Sequence, residues 1–75
     1  MLKKLSEVEI GKSVRIDSIT KDDFLLKLME MGCLPGEIIV VEKKAPLGDP
    51  LSIKVAGYHL SLRLNEADAI LVEEI

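Results

Sequence analysis

The run Ala45-Pro46-Leu47-Gly48-Asp49-Pro50 constrains the fold of this chain more than any other stretch. Proline fixes φ and offers no backbone donor, glycine admits positive φ, and aspartate bonds nearby backbone, so such a run encodes one shaped turn. Strand-like segments flank it. Before it stand Ile38, Ile39, Val40 and Val41; after it Leu51, Ile53 and Val55 alternate with Ser52, Lys54 and Ala56. Leu47 lies at the tip, where a large apolar side chain must either fold back on the core or face a partner.

Beyond Gly57 the alternation resumes, with Tyr58, Leu60, Leu62 and Leu64 on one face and His59, Ser61 and Arg63 on the other, which predicts a hairpin. The β-branched run 38–41 predicts a strand covered on both sides. Val14, Ile16 and Ser18 predict a further strand, ended or bulged where Ile19 breaks the parity. Residues 70–75 form the last, and 65–69 a polar turn or one helical turn. Ser6-Glu7-Val8-Glu9 has capping-box spacing and predicts one helical turn stopped by Gly11. Thr20-Lys21-Asp22-Asp23 has the same spacing and precedes Phe24, Leu25, Leu28, Met29 and Met31, one face of a helix over residues 21–31. Gly32 supplies the left-handed stop, and Pro35 with Gly36 prevents resumption.

Five short strands and one inserted helix leave no room for parallel crossovers, each of which needs about a dozen residues or more. The expectation is a mainly β, single domain over residues 1–75, an antiparallel and partly closed small barrel, because closure removes exposed edges. Its core must be aliphatic, since Phe24 and Tyr58 are the only aromatic residues among 48% hydrophobic ones.

A formal charge of −3 with scattered basic residues argues against nucleic-acid binding, which needs a concentrated basic surface. The single cysteine, Cys33, excludes an intrachain disulfide and points to a reducing compartment. No signal-peptide core stands at the N-terminus, and no apolar run approaches the roughly 20 residues of a membrane span. A cytoplasmic protein without direct membrane insertion is expected.

One histidine and one cysteine cannot assemble a catalytic triad, and no P-loop or Rossmann glycine pattern exists, so no enzyme and no cofactor are expected. His59 has no second histidine nearby, and Asp22-Asp23 and Glu73-Glu74 read as a helix N-terminus and a frayed acidic tail rather than metal ligands. No metal site is expected. Cys33 is expected to be partly buried. The turn residues Gly32, Pro35, Gly36, Pro46, Gly48, Asp49 and Pro50 are read as shaping loops. Leu47 is the first candidate for partner contact, with the Lys54, His59 and Arg63 face as the second.

Taken jointly, Leu28 to Gly32, Pro35-Gly36, residues 45–50, the hairpin, Arg63 and the Ala-rich turn 66–69 resemble the FeoA family, small proteins that accompany bacterial ferrous iron transporters. The resemblance implies an SH3-like barrel and a non-catalytic accessory that meets the membrane transporter FeoB on its cytoplasmic part. A homodimer is compatible with it. The same domain type occurs at the C-terminus of DtxR-type metal-dependent repressors, so a metal chaperone or sensor is the alternative function.

Overall fold

The structure, a computed structural model, describes residues 1–75. Six strands form one antiparallel sheet: β1 (Leu2–Lys4), β2 (Ser13–Ile19), β3 (Ile38–Lys44), β4 (Leu51–Val55), β5 (Tyr58–Leu62) and β6 (Ile70–Glu74). Their order is β1-β6-β2-β3-β4-β5, so β1 and β5 are the edges and do not pair with each other. The helix α1 (Asp22–Glu30) follows β2, the short helix α2 (Leu64–Asp68) joins β5 to β6, and a single 3-10 turn spans Leu5–Glu7.

The mainly β, antiparallel expectation holds, with six strands rather than five. β1 is not legible in the sequence because three residues carry no readable period. It exists because β6 offers it a ladder, Leu2 opposite Glu73 and Lys4 opposite Leu71. The same pairing corrects the view of a frayed acidic tail: Glu74 is in β6, and its carboxylate meets Lys3 Nζ at 2.8 Å.

Alternation builds the core. Val14 and Ile16 of β2, Ile39 and Val41 of β3, Leu51, Ile53 and Val55 of β4, and Val72 of β6 are all buried. β3 is therefore covered on one face only, which corrects the two-sided expectation: Ile38 is exposed and Val40 half-buried. The register of β2 against β6 shifts between Ile16 and Ser18, the bulge that the broken parity at Ile19 announced. A second bulge, between Val41 and Lys43, leaves Glu42 as the extra residue of β3.

At the helix ends the outcomes diverge. Thr20 is not the N-cap of α1: Lys21 holds that position, while the Thr20 amide and hydroxyl both donate to the Ala69 carbonyl, at 2.7 and 3.1 Å. The end of the β2–β6 pairing and the helix start compete for one side chain, and the tertiary acceptor wins. Nor does Ser6 cap a turn. Its hydroxyl donates to the Asp68 carboxylate of α2, and Glu7 Oε1 instead accepts from the Lys4 amide at 3.1 Å.

The C-terminal stop is as expected, and more complete. Gly32 has φ +97°, its amide donates to Met29 O at 3.1 Å, and the Cys33 amide reaches back to Leu28 O at 2.9 Å. That pair of bonds is the Schellman arrangement, whose apolar residue after the glycine packs back on the last turn. Cys33 is that residue, and it is buried with Leu28 in the core. The predicted stripe narrows accordingly. Leu28 is buried, Phe24 and Met31 pack partly against the core, and Leu25 and Met29 stay exposed because α1 touches the sheet along one narrow line.

Candidate interaction surface

The loop between β3 and β4 is shaped by its own bonds. The Gly48 amide donates to Ala45 O at 2.7 Å and the Ala45 amide to Pro50 O at 3.1 Å, while Gly48 takes φ +82°. The Asp49-Pro50 peptide is cis. Asp49 does not serve its own turn: its Oδ1 accepts from the Leu64 amide at 3.0 Å and so ties the loop to the first residue of α2. Leu47 stands between these anchors with 92% of its surface exposed. It does not fold back on the core.

The four residues suggested for partner contact fall in two places. Lys54 and His59 are cross-strand neighbours on the outer face of the β4–β5 hairpin, near its turn. His59 Nδ1 lies 2.8 Å from Glu42 Oε1, a contact made available by the bulge that re-aims Glu42. Arg63 lies beyond the opposite end of β5, at the start of α2, where it joins Asp49, Pro50, Ser61 and Leu62 around an open cavity of about 410 Å³. The fold thus brings Arg63 to the loop that carries Leu47 and leaves Lys54 and His59 apart from it.

The turn residues Pro35 and Gly36 connect α1 to β3. There the Gly36 amide donates to Ile16 O at 2.8 Å and the Glu37 amide to Leu34 O at 3.0 Å.

A buried carboxylate lies in α2, where the sequence suggested a polar turn or one helical turn and no buried charge. Glu66 is 3% exposed. Its Oε1 accepts from the Arg63 amide at 2.9 Å, and its Oε2 lies 2.6 Å from Lys27 Nζ, which links α2 to α1. The hydrogen bond from Lys27, and next the one from the Arg63 amide, hold the Glu66 carboxyl below the usual glutamate range. Burial pushes the Cys33 thiol up to about 11, with the Glu66 charge adding to it, so the sulfur is neutral at ordinary pH. The Arg63-x-x-Glu66 spacing of a capping box was a signal for Glu66, obscured because arginine is not a usual N-cap residue.

No three His, Cys, Asp or Glu side chains stand together at ligating spacing. No helix is long and apolar enough to cross a membrane.

The model of the FeoA domain matches residues 3–74. The chain belongs to the FeoA family. A FeoA-like protein of Clostridium acetobutylicum has a structure superposing with a TM-score of 0.92 at 43% identity, covering 99% of this chain and 87% of its own. FeoA of Stenotrophomonas maltophilia, solved in complex with zinc and characterised as a prokaryotic SH3 domain protein, superposes with a TM-score of 0.82 at 29% identity, covering 95% and 89%. A Porphyromonas gingivalis protein, a fusion of Fe(2+) transport protein A with the Fe(2+) transporter FeoB, is 36% identical over 75 residues. The match takes in 96% of this FeoA chain and 9% of that fusion protein. The fold is therefore the SH3-like one of these relatives, with its sheet left open between β1 and β5.

Proposed function

We propose that this chain is a non-catalytic, cytoplasmic accessory of ferrous iron uptake that acts by protein–protein contact with the cytoplasmic part of a FeoB-type transporter. The observation that carries the reading is Leu47. A large apolar side chain, 92% exposed at the tip of a loop held by proline on either side, has little conformational freedom to lose on docking, as an interface anchor requires. Arg63 and the cavity beside the loop extend the same end of the molecule. In the Porphyromonas gingivalis relative the FeoA and FeoB parts share one polypeptide, and covalent linkage raises the effective concentration of two parts that work in contact.

Leu47→Asp tests this. The thermal midpoint is expected to stay at the wild-type value while capture of the purified cytoplasmic domain of the cognate transporter is lost. Wild-type capture by the folded variant removes the loop from the interface.

The zinc complex of the Stenotrophomonas maltophilia relative favours one second reading, a metal chaperone or sensor. In this chain the only histidine is paired with a single glutamate and the only cysteine is sealed in the core. Anaerobic calorimetric titration with ferrous iron or zinc is expected to show weak surface binding alone; a stoichiometric, sub-micromolar site establishes the second reading instead.

A further inference from the structure

The two rims of the sheet are built differently. β1 is three residues long and carries Lys3 and Lys4, the first tied to Glu74 and the second with its amide occupied by Glu7 Oε1. Shortness, lysine and an occupied donor each discourage the addition of another strand. β5 has none of these protections. Its five residues, Tyr58-His59-Leu60-Ser61-Leu62, contain no lysine and no proline, and its register with β4 runs without a bulge.

The hairpin shows which main-chain groups are free. Ala56 and Gly57 both take positive φ, 51° and 83°, as a two-residue type I′ turn demands. The flanking Val55 and Tyr58 are then the pair that exchanges both hydrogen bonds, and by alternation so are Ile53 with Leu60 and Leu51 with Leu62. His59 and Ser61 consequently aim their N–H and C=O groups away from β4. No turn, loop or cap hydrogen bond of the chain uses them, and both residues are exposed.

We propose that β5 is a self-association edge, to which a second copy of this chain adds its own β5 antiparallel and centred on Leu60. In that register His59 of each copy stands opposite Ser61 of the other. Both residues present outward-facing groups, so the two pairs close four main-chain hydrogen bonds. On one face the half-exposed Leu60 meets Leu60, and the exposed Tyr58 lies at the register position of Leu62, whose own side chain stays in its core; on the other face polar stands against polar. Centring on His59 instead would oppose two imidazoles and leave Ser61 facing Gly57 in the turn. No like charges confront each other along the strand, so the register adds no local repulsion to that between two copies of formal charge −3. Along the inner side of this rim Met31, Ala56, Tyr58 and Leu60 line a cavity of about 410 Å³ beside the end of α1, next to which the Leu60 side chain of the added strand would lie. The resulting contact is isologous and closes at two copies. It is independent of the transporter reading.

Sedimentation equilibrium of the purified chain from about 10 μM to about 1 mM tests the proposal. The average mass is expected to climb from the 8.3 kDa of one chain toward twice that value. Ser61→Pro removes an outward donor in each copy and no bond to β4, and proline is tolerated where an edge N–H faces solvent. It is expected to weaken association at least tenfold with the thermal midpoint unchanged. The double variant His59→Lys with Ser61→Lys, which sets lysine opposite lysine across the axis, is expected to do the same and decides the matter if the proline variant does not fold. A wild-type chain that stays monomeric at the highest concentration overturns the proposal, as does a dimer equally strong in a folded variant.

Discussion

Residues 31–36 and 45–50 use the same chemistry to opposite ends. Each stretch joins glycine to proline and holds apolar residues between them, Cys33 beside the exposed Leu34 in the first and Leu47 in the second. Cys33 is fully buried; Leu47 is 92% exposed. The difference lies in what each turn has to finish. The first closes a helix whose last carbonyls need donors, and the bonds from Gly32 and Cys33 to Met29 and Leu28 turn the next side chain back onto the core. The second joins two strands already paired with each other, so its bonds stay within the loop or reach α2 through Asp49, and no unfilled carbonyl draws Leu47 inward. A turn that completes a helix is committed to stability. A turn that joins completed strands is free to present a side chain.

The sharpest way to break this contrast is to empty the first region. Leu28→Ala, which removes the fully buried side chain under the helix stop, is expected to cost about 2–5 kcal/mol in chemical denaturation. Gly32→Val comes next, at about 1–3 kcal/mol. A Cβ built there meets nothing within 4 Å, so the cost is the φ of +97° alone, and an unchanged midpoint would detach the glycine from the helix stop.

Lys27→Met sharpens the same region electrically. Glu66 stays buried and loses its cation, at a cost of about 1–2 kcal/mol at neutral pH, reduced because Lys27 is itself largely exposed. The folded carboxyl titrates below its unfolded value, so the wild-type pair contributes stability above the ordinary glutamate range. That contribution is lost as pH falls through the lowered value. Denaturation midpoints of wild type and variant are therefore expected to converge as pH falls from neutral to below the ordinary glutamate range. The smallest effect belongs to the second region. Leu47→Asp is expected to move stability by no more than about 0.5 kcal/mol, and a drop comparable with that of Leu28→Ala would erase the contrast.

Legibility followed period and range. The alternation of Leu51, Ile53 and Val55 and the stop at Gly32 could be read directly, because strand parity and left-handed φ are properties of neighbouring residues. Leu47 could be singled out but not placed, since a loop tip faces core or solvent according to what lies beneath it. The misplaced caps have one cause: Thr20 and Ser6 had acceptors at Ala69 and Asp68, far along the chain, that outcompeted the local amides. Leu25 and Met29 fitted the helical stripe yet remained in solvent, because the width of a buried face is set by the surface it meets.

By itself, then, the sequence determined the antiparallel, mainly β architecture, the single long helix with its stop, the loop at 45–50 and the resemblance to FeoA, all of which rest on short-range stereochemistry and residue order. Only the tertiary structure decided that Leu2–Lys4 is a strand, that Glu66 is a buried partner of Lys27, that Asp49 reaches Leu64, and that one sheet edge is guarded while the other is bare. Each of those depends on groups brought together from distant parts of the chain. A three-residue strand has no period to read, and an ion pair between a buried carboxylate and a distant exposed lysine leaves no mark on the sequence until both of its elements are packed.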